Sequence, residues 1–315
     1  RTTIMKPLRL TALVVALLAG AGVNAPWAAD APKPVAPASD APSSKDWRDV
    51  SPDNLVLIET KYGTVAVELS PEFAPNHVAR MRKLLRAHFY DGLTFYRVID
   101  GFVAQGGADQ DTSATANAPV NPEILKNWPR MKAELDATLP AGTPFTPLGN
   151  PDLVAPEVGH VNGFPAGRDP KTGKAWMIQC PGVFAFARDN DEDTATTEFY
   201  IVIGEAPRRL DHNLTAFGRV LDGMEYLQKL QRGNPDVDSG VIDDVSKRDP
   251  IIRMTLAADL PAKDRPHYQV MKTDSAAFAE LKDKKRYPAP EFYHHGPFPN
   301  LDICVVSAPV KRINP

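Results

Sequence analysis

One run of thirteen residues, FYRVIDGFVAQGG at 95–107, constrains the fold of this chain more than any other segment. Its first half places Arg97 among aromatic and β-branched residues, which favour a β-strand. A turn then leads to Phe102, Gln105 and a glycine pair. A guanidinium beside an apolar hollow suits a bulky, neutral ring attached to an amide. We therefore interpret the run as a binding site for proline within a peptide.

The hydrophobic pattern by itself predicts a mainly β chain with two helices. Residues 55–69 alternate in polarity around a glycine turn, as in an antiparallel hairpin. After Pro75, apolar residues repeat at helical spacing. Asp222 is expected to cap a second helix that passes through Leu227 and Leu230.

Four segments further along the chain strengthen the first signal. They are PGVFAFA at 181–187, EFYI at 198–201, LD at 210–211 and FGRV at 217–220. Together with 95–107 they resemble the catalytic strand, groove and pocket of the cyclophilins, a family of peptidyl-prolyl cis-trans isomerases. The resemblance implies a closed, antiparallel, eight-stranded cyclophilin-like barrel capped by two helices.

The resemblance also implies a role for nine residues. Arg97, Phe102 and Gln105 match the catalytic set: the arginine acts on the amide, the phenylalanine receives the proline ring, and the glutamine binds substrate backbone and steadies the arginine. Six further residues match the lining of the peptide groove and the proline pocket: Ala187, Arg188, Glu198, Tyr200, Leu210 and Leu214.

The chemistry of Arg97 follows from amide resonance. Rotation about the bond before proline has a barrier of about 18–20 kcal/mol, because twisting it breaks the conjugation of the amide. An N–H directed at the prolyl nitrogen stabilises the localised lone pair of the twisted state. Lysine would be a poorer substitute, because its charge is mobile and strongly hydrated. This chemistry requires no cofactor or metal, and we expect none.

Four positions depart from the family pattern. Glu198 stands where glutamine is common and adds a charge near the groove, and Tyr200 adds a hydroxyl to a phenylalanine ring. Arg209 occupies a position often held by a tryptophan that helps to bind the family's cyclic peptide inhibitor, so weak inhibitor binding is expected. Leu214 replaces a histidine at the pocket rim. The pocket is expected to keep its apolar character.

The composition limits the classes of molecule that this chain is expected to bind. The net charge is −3 and no Lys/Arg-rich block occurs, so nucleic acid is not an expected partner. The expected partners are proline-containing polypeptides. Family precedent indicates a monomer, and no stable membrane anchor is expected. The 31 prolines are about twice the usual share and predict irregular structure rather than sheet interior, notably between 108 and 175.

The N-terminus predicts export. Lys6 and Arg9 precede the apolar run 10–23, which is short for a membrane span and is followed by small residues. We predict a signal peptide at 1–25 and a periplasmic protein, with an uncleaved anchor helix as the alternative. The other expected segments are a flexible linker (26–50, with order beginning near Trp47), an isomerase domain (51–258, with an insertion at about 108–175) and a C-terminal extension (259–315).

The sequence does not decide whether the two cysteines are bonded to each other. In an oxidising compartment Cys180 and Cys304 can form a disulfide that ties the C-terminal tail to the segment entering the second motif. Two separate buried thiols are the other possibility.

Two functions also remain open. The first is a periplasmic prolyl isomerase that assists the folding of exported proteins. The second is a non-catalytic peptide-binding module or holdase chaperone that uses the same groove. Retention of Arg97, Phe102 and Gln105 together favours the enzyme, since binding alone does not require an arginine aimed at the amide.

Overall fold

The computed structural model describes residues 42–108 and 122–313. The predicted signal peptide lies outside the described residues, as do the linker up to residue 41 and the segment 109–121. Within the described ranges, no helix combines the length and the apolar character needed to cross a membrane.

The described residues form seventeen strands and four α-helices. The strands are β1 (Trp47–Asp49), β2 (Leu55–Thr60), β3 (Gly63–Leu69), β4 (Thr94–Val98), β5 (Val103–Gly107), β6 (Ala137–Thr138), β7 (Phe145–Pro147), β8 (Glu157–Val161), β9 (Phe164–Asp169), β10 (Lys174–Met177), β11 (Val183–Phe186), β12 (Phe199–Val202), β13 (Ala216–Asp222), β14 (Asp249–Pro250), β15 (Arg253–Leu256), β16 (Tyr268–Met271) and β17 (Val310–Arg312). The helices are α1 (Pro75–Arg86), α2 (Pro122–Asn127), α3 (Met224–Leu227) and α4 (Ala276–Arg286).

The main sheet has nine strands in the order β14-β4-β5-β12-β11-β13-β3-β2-β15. Its two edge strands are consecutive in the chain, and the residues between them bond to both ends of the sheet. Ile251 N donates to Leu93 O at 2.7 Å, and Ile252 N donates to Glu59 O at 2.9 Å. The sheet is therefore strongly curled. The mainly β prediction is confirmed, whereas a closed barrel of eight strands is not.

Side chains alternate between the two faces of this sheet, as the pleat requires. Phe199 and Ile201 of β12 join one apolar cluster, and α1 packs into the same cluster. Tyr200 and Val202 join a second cluster on the opposite face. The predicted proline pocket thus belongs to the face that does not carry α1.

Of the two predicted helices, the first forms as expected and the second is shorter than expected. α1 begins at Pro75, as expected, and buries Val78, Met81, Leu84 and Leu85. α3 spans only four residues and ends before Leu230. The prediction that Asp222 caps it is wrong: the N-cap residue is Gly223, at φ 86°, and it provides no side-chain cap. Asp222 ends β13 instead, and its carboxylate accepts a hydrogen bond from Tyr268 at 2.9 Å.

The segment 108–175, predicted to be irregular, contains most of a second sheet. Its five antiparallel strands have the order β6-β10-β9-β8-β7. Prolines are compatible with it where the missing N–H is not needed for pairing. Pro147, for example, ends the edge strand β7. The proline argument was therefore wrong here: Pro147 lies in an edge strand, and Pro165 lies near the start of the inner strand β9.

The C-terminal extension folds back on the first described strand. β16 lies between β1 and β17 in a three-stranded sheet. β1 begins at Trp47, where order was expected to start, although it lies within the range assigned to the linker. Cys180 and Cys304 form a disulfide with their Cα atoms 5.1 Å apart, so the first of the two cysteine alternatives is the observed one.

Candidate active site

Arg97 and Gln105 face each other across the hairpin of β4 and β5. The register shifts between Phe95 and Arg97, which sets Arg97 directly opposite Gln105. Arg97 Nη1 donates to Gln105 Oε1 at 3.1 Å. The local sequence thus brings together two of the three predicted catalytic residues.

A second acceptor holds the Arg97 guanidinium. Arg97 Nε donates to the backbone oxygen of Ser239 at 2.8 Å. Ser239 adopts φ 53°, in the left-handed region, and the neighbouring Val241 forms a bridge with the backbone of Arg97. Sequence reasoning missed Ser239, because a backbone carbonyl has no residue-type signal.

Gln105 is itself oriented by a buried phenol. Its Nε2 donates to Tyr96 Oη at 2.6 Å, and both side chains are buried. This bond turns Oε1 of Gln105 toward Arg97, since the amide nitrogen is committed to the tyrosine. Tyr96 lies within the first motif, but sequence analysis gave it no role.

Phe102 sits on the turn that connects the two strands. Its backbone oxygen accepts from Ile203 N at 2.8 Å and from Gly204 N at 3.2 Å. A Cβ at Gly204 would lie 2.1 Å from the backbone of Gly101, so only glycine permits this approach. The ring of Phe102 is partly buried and packs against the apolar cluster that contains Tyr200.

Four of the predicted apolar lining residues belong to that cluster or pack against it. Ala187, Leu210 and Leu214 are partly buried and pack against it, while Tyr200 is buried inside it. The phenol of Tyr200 donates to Gln179 Oε1 at 3.0 Å. Burial raises the pKa of Tyr200 well above its ordinary value, so the hydroxyl remains a neutral donor. Gln179 is a further contributor that the sequence did not reveal.

The comparisons with known proteins show the family of this chain. The family described as "Cyclophilin type peptidyl-prolyl cis-trans isomerase/CLD" matches residues 55–256, well over half of the chain. The chain belongs to the cyclophilin-type peptidyl-prolyl isomerases. The activity of this family is cis-trans isomerisation of the peptide bond before proline.

Three of the similar proteins are bacterial. A probable peptidyl-prolyl cis-trans isomerase of Brucella suis biovar 1 is 29% identical over 208 residues, which are 66% of this chain and 85% of the relative. Peptidyl-prolyl cis-trans isomerase B of Bacillus subtilis is 29% identical over 170 residues, 54% of this chain and 85% of the relative. The crystal structure of a cyclophilin from Hirschia baltica shares 28% sequence identity at a TM-score of 0.63, covering 84% of this chain and 93% of that chain.

Glu198 of this cyclophilin does not present its charge at the protein surface. The side chain is fully buried, and Oε1 accepts from Ala108 N at 2.9 Å and from Thr197 Oγ1 at 3.1 Å. A Cβ at Gly107 would lie 2.3 Å from Oε2 of the same carboxylate. Glu198 thus packs beneath the glycine pair and holds the end of β5.

Arg188 holds two loops together. Its Nη1 donates to the backbone oxygens of Asp189 and Asn190 at 2.7 and 2.9 Å, and Nη2 donates to Asn213 O at 3.0 Å. This contact ties the loop after β11 to the loop that carries Leu214. Arg209 is exposed in the short turn Arg208–Leu210, so the expectation of weak inhibitor binding stays a prediction.

Proposed function

We propose that this cyclophilin accelerates rotation about X-Pro bonds in exported proteins, with Arg97, Phe102 and Gln105 as its catalytic residues. The observation that supports it most is the double anchoring of Arg97, to Gln105 Oε1 and to Ser239 O. Two acceptors fix the direction of the guanidinium, and a fixed dipole stabilises a transition state without reorganising during the reaction.

The chemical step involves no covalent bond. The proline ring binds against Phe102 and the cluster around Tyr200, and the amide before it lies beside Arg97. As the amide twists, its nitrogen becomes pyramidal and accepts a hydrogen bond from the guanidinium. This interaction is stronger in the twisted state than in either planar isomer, so it lowers the barrier.

The binding of an extended peptide is part of the same proposal. Ala187, Leu210 and Leu214 line the groove, whereas Arg188, Tyr200 and Glu198 act mainly by holding that lining in place. The proposal includes full closure of the curled sheet into a barrel, which keeps β4 and β5 rigid. The bonds of Ile251 and Ile252 to the two ends of the sheet support this closure.

Two features support a periplasmic location. Residues 1–25 have the charge and apolar pattern of a signal peptide. The Cys180–Cys304 disulfide suits an oxidising compartment. In that compartment the substrates would be exported polypeptides that have not yet folded. We propose that the enzyme acts on them as a monomer.

A protease-coupled assay on a short proline peptide tests the proposal. We expect Arg97→Ala to lower kcat/KM by about 100-fold, the usual cost of removing one preorganised donor. Arg97→Lys should recover only part of the loss, because an ammonium cannot reproduce the two anchoring contacts. Arg253→Ala, which removes a half-exposed arginine paired with Glu59, serves as the control and should keep the full rate.

The rival function, a non-catalytic peptide-binding module, predicts a different result. The protein would bind the peptide without accelerating its rotation, or Arg97→Ala would turn over as fast as the unaltered chain. Either outcome rejects the catalytic proposal.

A further inference from the structure

A cavity lies between the curled sheet, the second sheet and the C-terminal extension. Its volume is about 380 Å³, within the range of small-ligand pockets. Its wall is partly apolar, with Pro165, Val183, Ile303 and Val306 among the lining residues. The Cys180–Cys304 disulfide forms another part of the wall. None of the nine residues assigned to the isomerase site lines it.

One buried cation faces this cavity. Arg219 of β13 lines it and is 7% exposed. Two of its nitrogens, Nε and Nη2, are buried and have no hydrogen-bond partner among the described residues. Such groups cost free energy unless something pairs with them. A ring lies beside the guanidinium, with Arg219 Cζ 5.3 Å from the centroid of Phe164, but a ring does not satisfy an N–H in the way an oxygen does.

The neighbouring carboxylate is already committed. Glu68 Oε1 accepts from Arg48 Nη1 at 2.6 Å, and Oε2 accepts from Arg48 Nη2 at 3.0 Å. Arg219 Nε approaches Glu68 only to 3.9 Å, which is beyond hydrogen-bond distance. Two guanidinium groups therefore share one carboxylate, and the cluster of Arg48, Glu68 and Arg219 carries one uncompensated positive charge.

The other polar side chain deep in the wall adds no charge at neutral pH. His160 is buried, and its Nε2 lies 2.7 Å from Val306 O. Burial lowers the pKa of His160 to about 4, so the ring is neutral. Among the described residues that line the cavity, Arg219 alone is charged at pH 7.

We propose that this cavity binds a carboxylate that carries a short apolar tail, with Arg219 pairing the carboxylate and the aliphatic wall covering the tail. The carboxylate balances the extra charge of the Arg219 guanidinium, and charge-assisted pairs of this kind are the strong ones. A free short-chain acid and the C-terminus of a polypeptide both present this chemistry.

Calorimetric titration of the full chain tests the site with three probes: hexanoate, hexanamide and N-acetyl-leucyl-alanine. We expect hexanoate or the acetylated dipeptide to bind with a Kd on the order of 0.1–1 mM, within the range that efficiencies of small ligands allow. Hexanamide should bind at least about tenfold more weakly, because it has the same shape without the charge. Tighter binding of the dipeptide assigns the site to polypeptide C-termini, and tighter binding of hexanoate assigns it to free acids.

Two variants locate the binding. Arg219→Gln should lower the affinity at least about tenfold, and the matched change Arg86→Gln at a half-exposed position should leave it unaltered. If Arg219→Gln fails to fold, Ala308→Leu fills the cavity while keeping the guanidinium, and it should lower the affinity as well. The proposal is overturned if the unaltered chain binds neither carboxylate, if hexanamide binds as well as hexanoate, or if a folded variant of Arg219 or Ala308 binds normally.

Discussion

The phenol of Tyr200 donates to Oε1 of Gln179 at 3.0 Å, and both side chains are buried. This bond fixes a ring that the family more often supplies as phenylalanine. It also joins the pocket to Cys180, the next residue after Gln179, and through the disulfide to the C-terminal extension.

Tyr200→Phe should therefore affect stability more than catalysis. The change leaves the Gln179 oxygen buried without its donor, and we expect the free energy of unfolding to fall by about 1–2 kcal/mol. The apolar surface offered to proline is retained, so kcat/KM should stay close to that of the unaltered chain. Urea denaturation and the isomerisation assay measure the two effects. A large loss of rate with unchanged stability would show that the hydroxyl contacts the substrate.

Gln105→Glu should lower the rate without displacing Arg97. The carboxylate still accepts from Arg97 Nη1, but its negative charge offsets the positive charge that stabilises the twisted amide. We expect kcat/KM to fall by about tenfold or more. Gln231→Glu adds the same charge at an exposed position and should have no effect. An unchanged rate for Gln105→Glu would mean that the charge of Arg97 does not drive the reaction.

Reduction of the Cys180–Cys304 disulfide should destabilise the protein. The bond closes a loop of 124 residues, and disulfides typically contribute about 2–4 kcal/mol by restricting the unfolded chain. Urea denaturation with and without dithiothreitol measures the difference. A double variant, Cys180→Ser with Cys304→Ser, is the control: it should match the reduced protein and ignore the reductant. Equal stability of the oxidised and reduced chains would contradict the prediction.

His160 should make stability depend on pH between about 6.5 and 4. Burial lowers its pKa from 6.5 to about 4, so in this window the unfolded chain binds a proton that the folded chain does not. The free energy of unfolding is thus highest above pH 6.5 and falls as the pH approaches 4, by up to about 3 kcal/mol from this residue. Denaturation of the unaltered chain and of His160→Gln at pH 7.5 and 4.5 tests this.

In that experiment the variant should lose most of the pH dependence. His88→Gln, which changes an exposed histidine, should keep it. Identical pH profiles for the unaltered chain and His160→Gln would show that His160 is not the source of the pH dependence.

Parts of the fold and site that rest on local patterns could be predicted from sequence. The spacing of apolar residues after Pro75 predicted α1, and the run 95–107 predicted the strand of Arg97 and the turn that follows it, although not the second strand β5. In both cases the residues that determine the structure are close together in the chain, so the pattern contains the information.

Contacts between distant segments could not be predicted in this way. Ser239 anchors Arg97 through a backbone oxygen, which every residue type possesses. Gln179 meets Tyr200 only because β11 and β12 pair. The expected cap at Asp222 failed for a related reason: the strand continues through this residue, and its carboxylate is engaged by Tyr268, which is far along the chain.

The pairing of β1 with β16 has a consequence for synthesis. Trp47 lies opposite Met271, so the first described strand has no partner until β16 has been synthesised. A nascent chain grows from its N-terminus, so β1 is made long before β16. Until then the unpaired edge of β1 can associate with other strands. A product terminated before β16 would therefore lack the partner of β1 and leave the edge of that strand unpaired.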